Sequence, residues 1–172
     1  MNTKEMEVYE LCEALGVTHI AKAHLDGNDL LLENFTSTDC FLESMGQSGY
    51  VGAQENHLEK SVEIFGELAA ALFAVDYIAE HDDRHSGNFG FLRNANTGEY
   101  ICMAPYYDFD WAWSSGVYPL PDNALINHGE HIFDLCGKAK AAANSFAHGA
   151  VIANRADELL RRLDAAKAGE KS

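Results

Sequence analysis

The sequence predicts a single α+β domain, mostly helical. Three observations carry that expectation. The run "LAAALFAVDYIA" at 68–79 is apolar nearly all round, as in a helix through the middle of a core. Two pairs of short apolar runs flank polar Asn/Gly turns, "VTHIAKAHL" and "LLLENF" around "DGND", and "NFGFLR" and "YICMAPYYDF" around "NANTGE". Each pair reads as a β-hairpin. Two C-terminal stretches, 131–147 and 148–167, read as helices.

The elements follow in order. Residues 4–15 read as a helix, because Val8, Leu11, Cys12 and Leu15 keep helical spacing and Gly16 is a natural stop. The hairpin of 17–35 comes next. Residues 36–56 are rich in Ser, Gly, Thr and Asn, which predicts a loop with a short helix around 38–44. Asn56, with Glu59 three residues on, has the spacing of a capping box and opens one long helix reaching Ile78. Leu58, Val62, Phe65, Ala69 and Leu72 form its apolar face. The second hairpin occupies 88–109. Residues 110–130 hold all but one of the prolines and both tryptophans and read as irregular. In the last helix Ile152, Ala156, Leu159, Leu160 and Leu163 form the buried stripe, the charges of "RRLDAAKAGEKS" form a solvated face, and "AGEKS" is a frayed tail.

Composition narrows the function classes. The chain has 172 residues, of which 47% are hydrophobic, enough for one real core. Its net charge of −15 repels phosphate backbones, so direct nucleic-acid binding is not expected, and an anionic ligand would need a metal ion or a local basic group. Cys12, Cys40, Cys102 and Cys136 lie far apart without CxxC spacing, as core residues of a reduced cytoplasmic protein do. The start "MNTKEMEVYE" has no signal-peptide pattern, and the apolar run at 68–79, broken by Asp76, is too short for a membrane span.

The chemistry gathers between the central helix and the second hairpin, in "YIAEHDDRHSGNFGF" at 77–91. Asp83 and Asn88 are five apart, and Asp108 ends the second strand of the hairpin. Pairing the strands brings the Asn88 end beside the Asp108 end. A phosphoryl-transfer site needs one carboxylate to orient a hydroxyl and accept its proton, and hard oxygen ligands to hold Mg²⁺ against a triphosphate.

"DRHSGN" followed by "APYYDFD" resembles the catalytic and metal-binding segments of HipA-type serine/threonine kinases and, more distantly, of phosphatidylinositol 3/4-kinases. The D-x₄-N spacing is also that of the protein-kinase catalytic loop. The resemblance implies a protein-kinase-like C-lobe, with ATP and Mg²⁺ as cofactors. It implies Asp83 as catalytic base, His85 as the loop histidine that braces rather than reacts, and Asn88 and Asp108 as metal ligands. Arg84 would touch phosphate or be solvated, and Asp110, in place of the glycine of a DFG-like triplet, would be a further ligand or a surface acid. Upstream, "EVYELCEALGV" is similar to the regulatory helix, with Glu7 as the acid that pairs with the ATP-binding lysine. The adenine-binding hinge would fall at Leu32, Glu33, Asn34 and Phe35. This divides the domain into a remnant of the N-lobe and hinge at 1–35, a helical C-lobe at 36–167 and a tail at 168–172.

Only Met1–Thr3 precede the regulatory helix, so the phosphate-covering loop and its lysine are expected to be missing, and Lys22 falls after that helix. The expected partners are a nucleotide and a separately encoded N-lobe or an antitoxin-like protein, since HipA-type kinases often act in toxin–antitoxin pairs. Three functions remain open. The first is transfer of the ATP γ-phosphoryl to a Ser or Thr hydroxyl. The second is a pseudokinase acting as a nucleotide- or protein-binding module. The third is a metal-dependent phosphohydrolase using His81, Asp82 and His85, because His81 and His85 are four apart as in a helical metal pair. His128 and His131 read as loop histidines, and the aromatics Tyr106, Tyr107, Phe109, Trp111 and Trp113 as packing around the metal loop.

Overall fold

A computed structural model describes residues 3–50, 56–116 and 120–169. Part of the expected 36–56 loop (51–55) and the end of the tail (170–172) lie outside the described residues. Helix α1 spans Thr3–Leu15, buries Val8, Leu11, Cys12 and Leu15, and stops at Gly16, whose φ of 75° ordinary residues avoid. Strands β1 (Ala23–Asp26) and β2 (Asp29–Leu32) form the first hairpin. It is tied to the rest of the chain by the bridge of Ile20 with Tyr106 and by bonds from Ala21 N–H to the Tyr106 carbonyl and from Tyr106 N–H to that of His19.

The expected helix around 38–44 is instead strand β3, Cys40–Ser44, antiparallel to β4 (Gly90–Asn94). Strand β4 is therefore central in a three-stranded sheet, with β5 (Tyr100–Met103) on its other side. The reason is tertiary. So short a segment cannot sustain a helix against the ladder that β4 offers, and a turn in which Asp39 N–H donates to Ser37 Oγ delivers the chain to that edge. Gly90 permits the approach, since a Cβ there would collide with the Glu43 carbonyl.

The single long helix is also corrected. Asn56 caps α2 (His57–Phe65) by accepting from Leu58 N–H, but Gly66, at φ 58°, ends that helix and α3 (Glu67–Ile78) starts anew. Both halves keep the expected apolar face, with Leu58, Val62, Phe65, Ala69 and Leu72 buried. Within 110–130 lie a short helix α4 (Asp122–Leu125) and the start of α5 (Gly129–Ala142), so His131 is helical and not in a loop. Helix α6 (Gly149–Gly169) buries Ile152, Ala156, Leu159 and Leu163. Its charged face is less solvated than expected, because Arg162 donates to Asp122 and lies over the Tyr77 ring.

Helix α3 runs through the centre, against α2, α5 and α6. Among the described residues no helix is long and apolar enough to cross a membrane. All four cysteines are free. The architecture is α+β, with two small antiparallel sheets. It leaves two irregular segments side by side, 79–89 between α3 and β4, and 104–116 after β5.

Candidate active site

Arg84 organises the site. The sequence places it against phosphate or in solvent, but it is the largest fully buried side chain. Its Nε and Nη2 donate to both carboxylate oxygens of Asp76, at 2.9 and 3.0 Å. Its Nη1 donates to the carbonyls of Asn88, at 2.8 Å, and Tyr107, at 2.9 Å. The guanidinium carbon sits 4.9 Å from the centre of the Phe109 ring. One planar fork thus joins the last turns of α3, the end of the polar loop and the residue before Asp108, which an ammonium could not do. Asp76 neutralises it, as a charge this deep requires.

Around that brace the loop 83–88 folds on itself. The Asp83 carbonyl accepts from His85 N–H at 2.8 Å and from Asn88 Nδ2 at 3.0 Å. The Asp83 carboxylate stays open to solvent, with His85 Nε2 at 3.8 Å. His85 turns its other ring nitrogen back to accept from Gly87 N–H, at 3.0 Å. Asn88 is buried, and because its Nδ2 is committed to the loop, its Oδ1 is the atom left for an incoming group. Tyr107 closes the arrangement by donating its hydroxyl to the Gly87 carbonyl.

Asp108 sits at φ 61°, a left-handed conformation that costs a residue with a side chain about 1–2 kcal/mol. Burial pushes its carboxyl above the ordinary 3.8, the adjacent Asp110 carboxylate adds to the rise, and Asp83 contributes, against the opposing pull of Arg84. Asp108 and Asn88 offer hard oxygens with Asp110 beside them, a donor set that suits Mg²⁺ and is short of its six ligands. Among the described residues no three His, Cys, Asp or Glu side chains form a metal cluster by themselves. Water and phosphate oxygens would have to complete the shell.

A carboxyl with a raised pKa favours the folded state only once protonated, and above that pKa it opposes folding. Asp108→Asn is therefore expected to melt higher than the wild type at pH 7.5. The gap should close as the pH falls through the raised Asp108 pKa, above the ordinary 3.8. Thermal melts of the ligand-free proteins across that range check it, and a variant that melts lower at pH 7.5 refutes it.

The acid on α1 is corrected. Both Glu7 oxygens are engaged by His148 at the start of α6. Glu5 is the acid in contact with the site, accepting from Phe109 N–H at 3.3 Å. Burial raises the Glu5 pKa, with Asp108 and Asp110 adding to the rise and the Phe109 amide opposing it. Helical phase does not choose between them, since Glu5 is in step with Val8 and Cys12, and Glu7 with Leu11.

The residues expected at the hinge follow the first hairpin. Leu32 ends β2 and Glu33 pairs with the exposed Lys22 at 3.1 Å. Asn34 Oδ1 accepts from Thr36, and the Phe35 ring lies 5.6 Å from that of Tyr107. The His81–His85 pair does not form. Both residues follow the end of α3, and His81 is wholly buried against Phe109, where burial lowers its pKa, whereas His85 is exposed. The aromatics pack around the 104–116 segment except Trp111, which is exposed.

No family model matches the chain, and no curated protein does. A solved structure does: the crystal structure of a Helicobacter pylori proinflammatory kinase, CtkA, with a TM-score of 0.66 over 95% of this chain and 84% of that one. At 14% identity the likeness is one of fold, and the fold is kinase-like.

Proposed function

We propose that this chain is a HipA-type kinase lobe that transfers the γ-phosphoryl group of ATP to a Ser or Thr hydroxyl. The observation that carries the reading is the Arg84 brace, which ties Asn88 and the residue before Asp108 to one guanidinium. Such rigidity is what positioning-based phosphoryl transfer asks of a protein. Asn88 Oδ1 and the Asp108 carboxylate would hold Mg²⁺. When bound, the ion neutralises charge on the phosphates. Asp83, pinned through its carbonyl with its carboxylate free, accepts the hydroxyl proton as the new O–P bond forms and the bond to the β-phosphate oxygen breaks. His85 keeps the loop closed. Leu32–Phe35 would line the adenine end, with 1–35 on the N-lobe side and 36–167 as the C-lobe, in a reduced cytoplasmic setting that suits four free thiols.

A second reading is favoured by the charges. Arg84 spends its guanidinium on Asp76 and two carbonyls, and Lys22 is paired with Glu33. Among the described residues the site would then offer the phosphates no uncommitted side-chain cation of its own from Arg84 or Lys22. Either a partner chain supplies it, as a separately encoded N-lobe would, or the chain binds without chemistry. Calorimetric titration with ATP, with and without Mg²⁺, tests the proposal. Mg²⁺-dependent binding that weakens at least about tenfold in Asp108→Asn is expected. Equal affinities in the two proteins overturn the metal assignment, and no binding by the wild type favours a cation supplied by a partner chain.

A further inference from the structure

Three segments distant in sequence meet at Trp113, in the segment that carries Asp108. His148, which immediately precedes α6, donates its main-chain N–H to Glu7 Oε1 at 2.9 Å, and its Nδ1 lies 2.5 Å from Glu7 Oε2. Both Glu7 oxygens are thus taken by one residue. The opposite partner of His148 is Trp113, whose ring stacks on the imidazole at 4.4 Å and 3° between planes. Trp113 reaches α1 a second time, through Nε1–H to the Lys4 carbonyl at 3.0 Å, and its own amide donates to the Ala79 carbonyl at 2.7 Å. On the far side of the same helical turn Glu5 accepts from Phe109 N–H.

Asp108, Trp113 and Ser115 all hold positive φ, at 61°, 60° and 68°. A segment so bent persists only where its surroundings over-determine it. We infer that His148 is a positioning residue for this segment. By gripping Glu7 and Trp113 together it fixes the first turns of α1 against the segment, and so brings Glu5 to the Phe109 amide and sets the height of Asp108. A residue at the start of the last helix therefore governs the geometry of the Asp108 segment. The consequence for nucleotide binding rests on the reading of Asp108 as a metal ligand, but the geometric claim does not.

Hydrogen–deuterium exchange on the full chain separates the two. In His148→Ala the amides of 109–114 are expected to exchange about tenfold faster while those of 69–78 in α3 keep their wild-type rates. His148→Asn retains a donor near the Nδ1 position and is expected to restore most of the protection. Mg²⁺·ATP affinity should fall with the Ala variant and recover with the Asn variant. Unchanged exchange at 109–114 in His148→Ala overturns the inference. So does acceleration there in step with α3, or an Asn variant no better than Ala. A wild type that binds no Mg²⁺·ATP counts against the proposed function alone, and the exchange data still decide this one.

Discussion

Replacing Arg84 with methionine is expected to destabilise the chain by about 3–5 kcal/mol and to abolish Mg²⁺-dependent nucleotide binding. The substitution keeps a comparable apolar volume but strands the Asp76 carboxylate in the core and leaves the Asn88 and Tyr107 carbonyls without their donor. Each buried group that loses its partner costs about 1–3 kcal/mol, more for the charge. Stability and site geometry can be separated. Asp76→Leu combined with Arg84→Met removes both charges, and much of the stability should return, since a buried pair is often replaceable by apolar residues. Binding should not return, because nothing then holds the two carbonyls. Urea unfolding and calorimetry on both variants provide the test. A single variant that unfolds within about 1 kcal/mol of the wild type would show that Arg84 does not organise the site.

Asp83→Asn should do the opposite. The carboxylate is solvent-exposed and the bonds that shape the loop use the Asp83 carbonyl, so the fold and Mg²⁺·ATP affinity should stay near wild type. Phosphoryl transfer should fall about 10²–10⁴-fold, the usual cost of losing a general base. Single-turnover transfer from labelled ATP, scaled to the wild type, measures it. A variant that transfers at the wild-type rate would remove Asp83 from the mechanism.

What could be read from the sequence depended on how local the cause was. The second hairpin and the buried run of α3 follow from periodicity and a turn, and they appear as expected. Strand β3 was hidden because its cause is a partner some fifty residues on, as the pairing of Phe41 with Arg93 shows. Gly66 broke a helix that its neighbours' spacing would have continued, since the same apolar face survives the break. Arg84 was misread for a related reason. A lone arginine in a polar loop looks solvated, and only Asp76, inside an apolar helix and itself in need of a counter-charge, hinted otherwise. Glu5 and Glu7 were not separable at all, because their difference is decided by Phe109 and His148.

The bonds that shape the 104–116 segment span unusual distances along the chain: 104 residues from Glu5 to Phe109, 109 from Lys4 to Trp113 and 141 from Glu7 to His148. Synthesis proceeds from the other end. A nascent chain that has passed Asp108 already carries every side chain proposed for catalysis, yet it cannot close the last of these contacts until α6 begins to leave the ribosome. Such long-range closures are slow to form and expose apolar surface while they wait. The acidic centre therefore cannot take its described form before the start of α6 has been made.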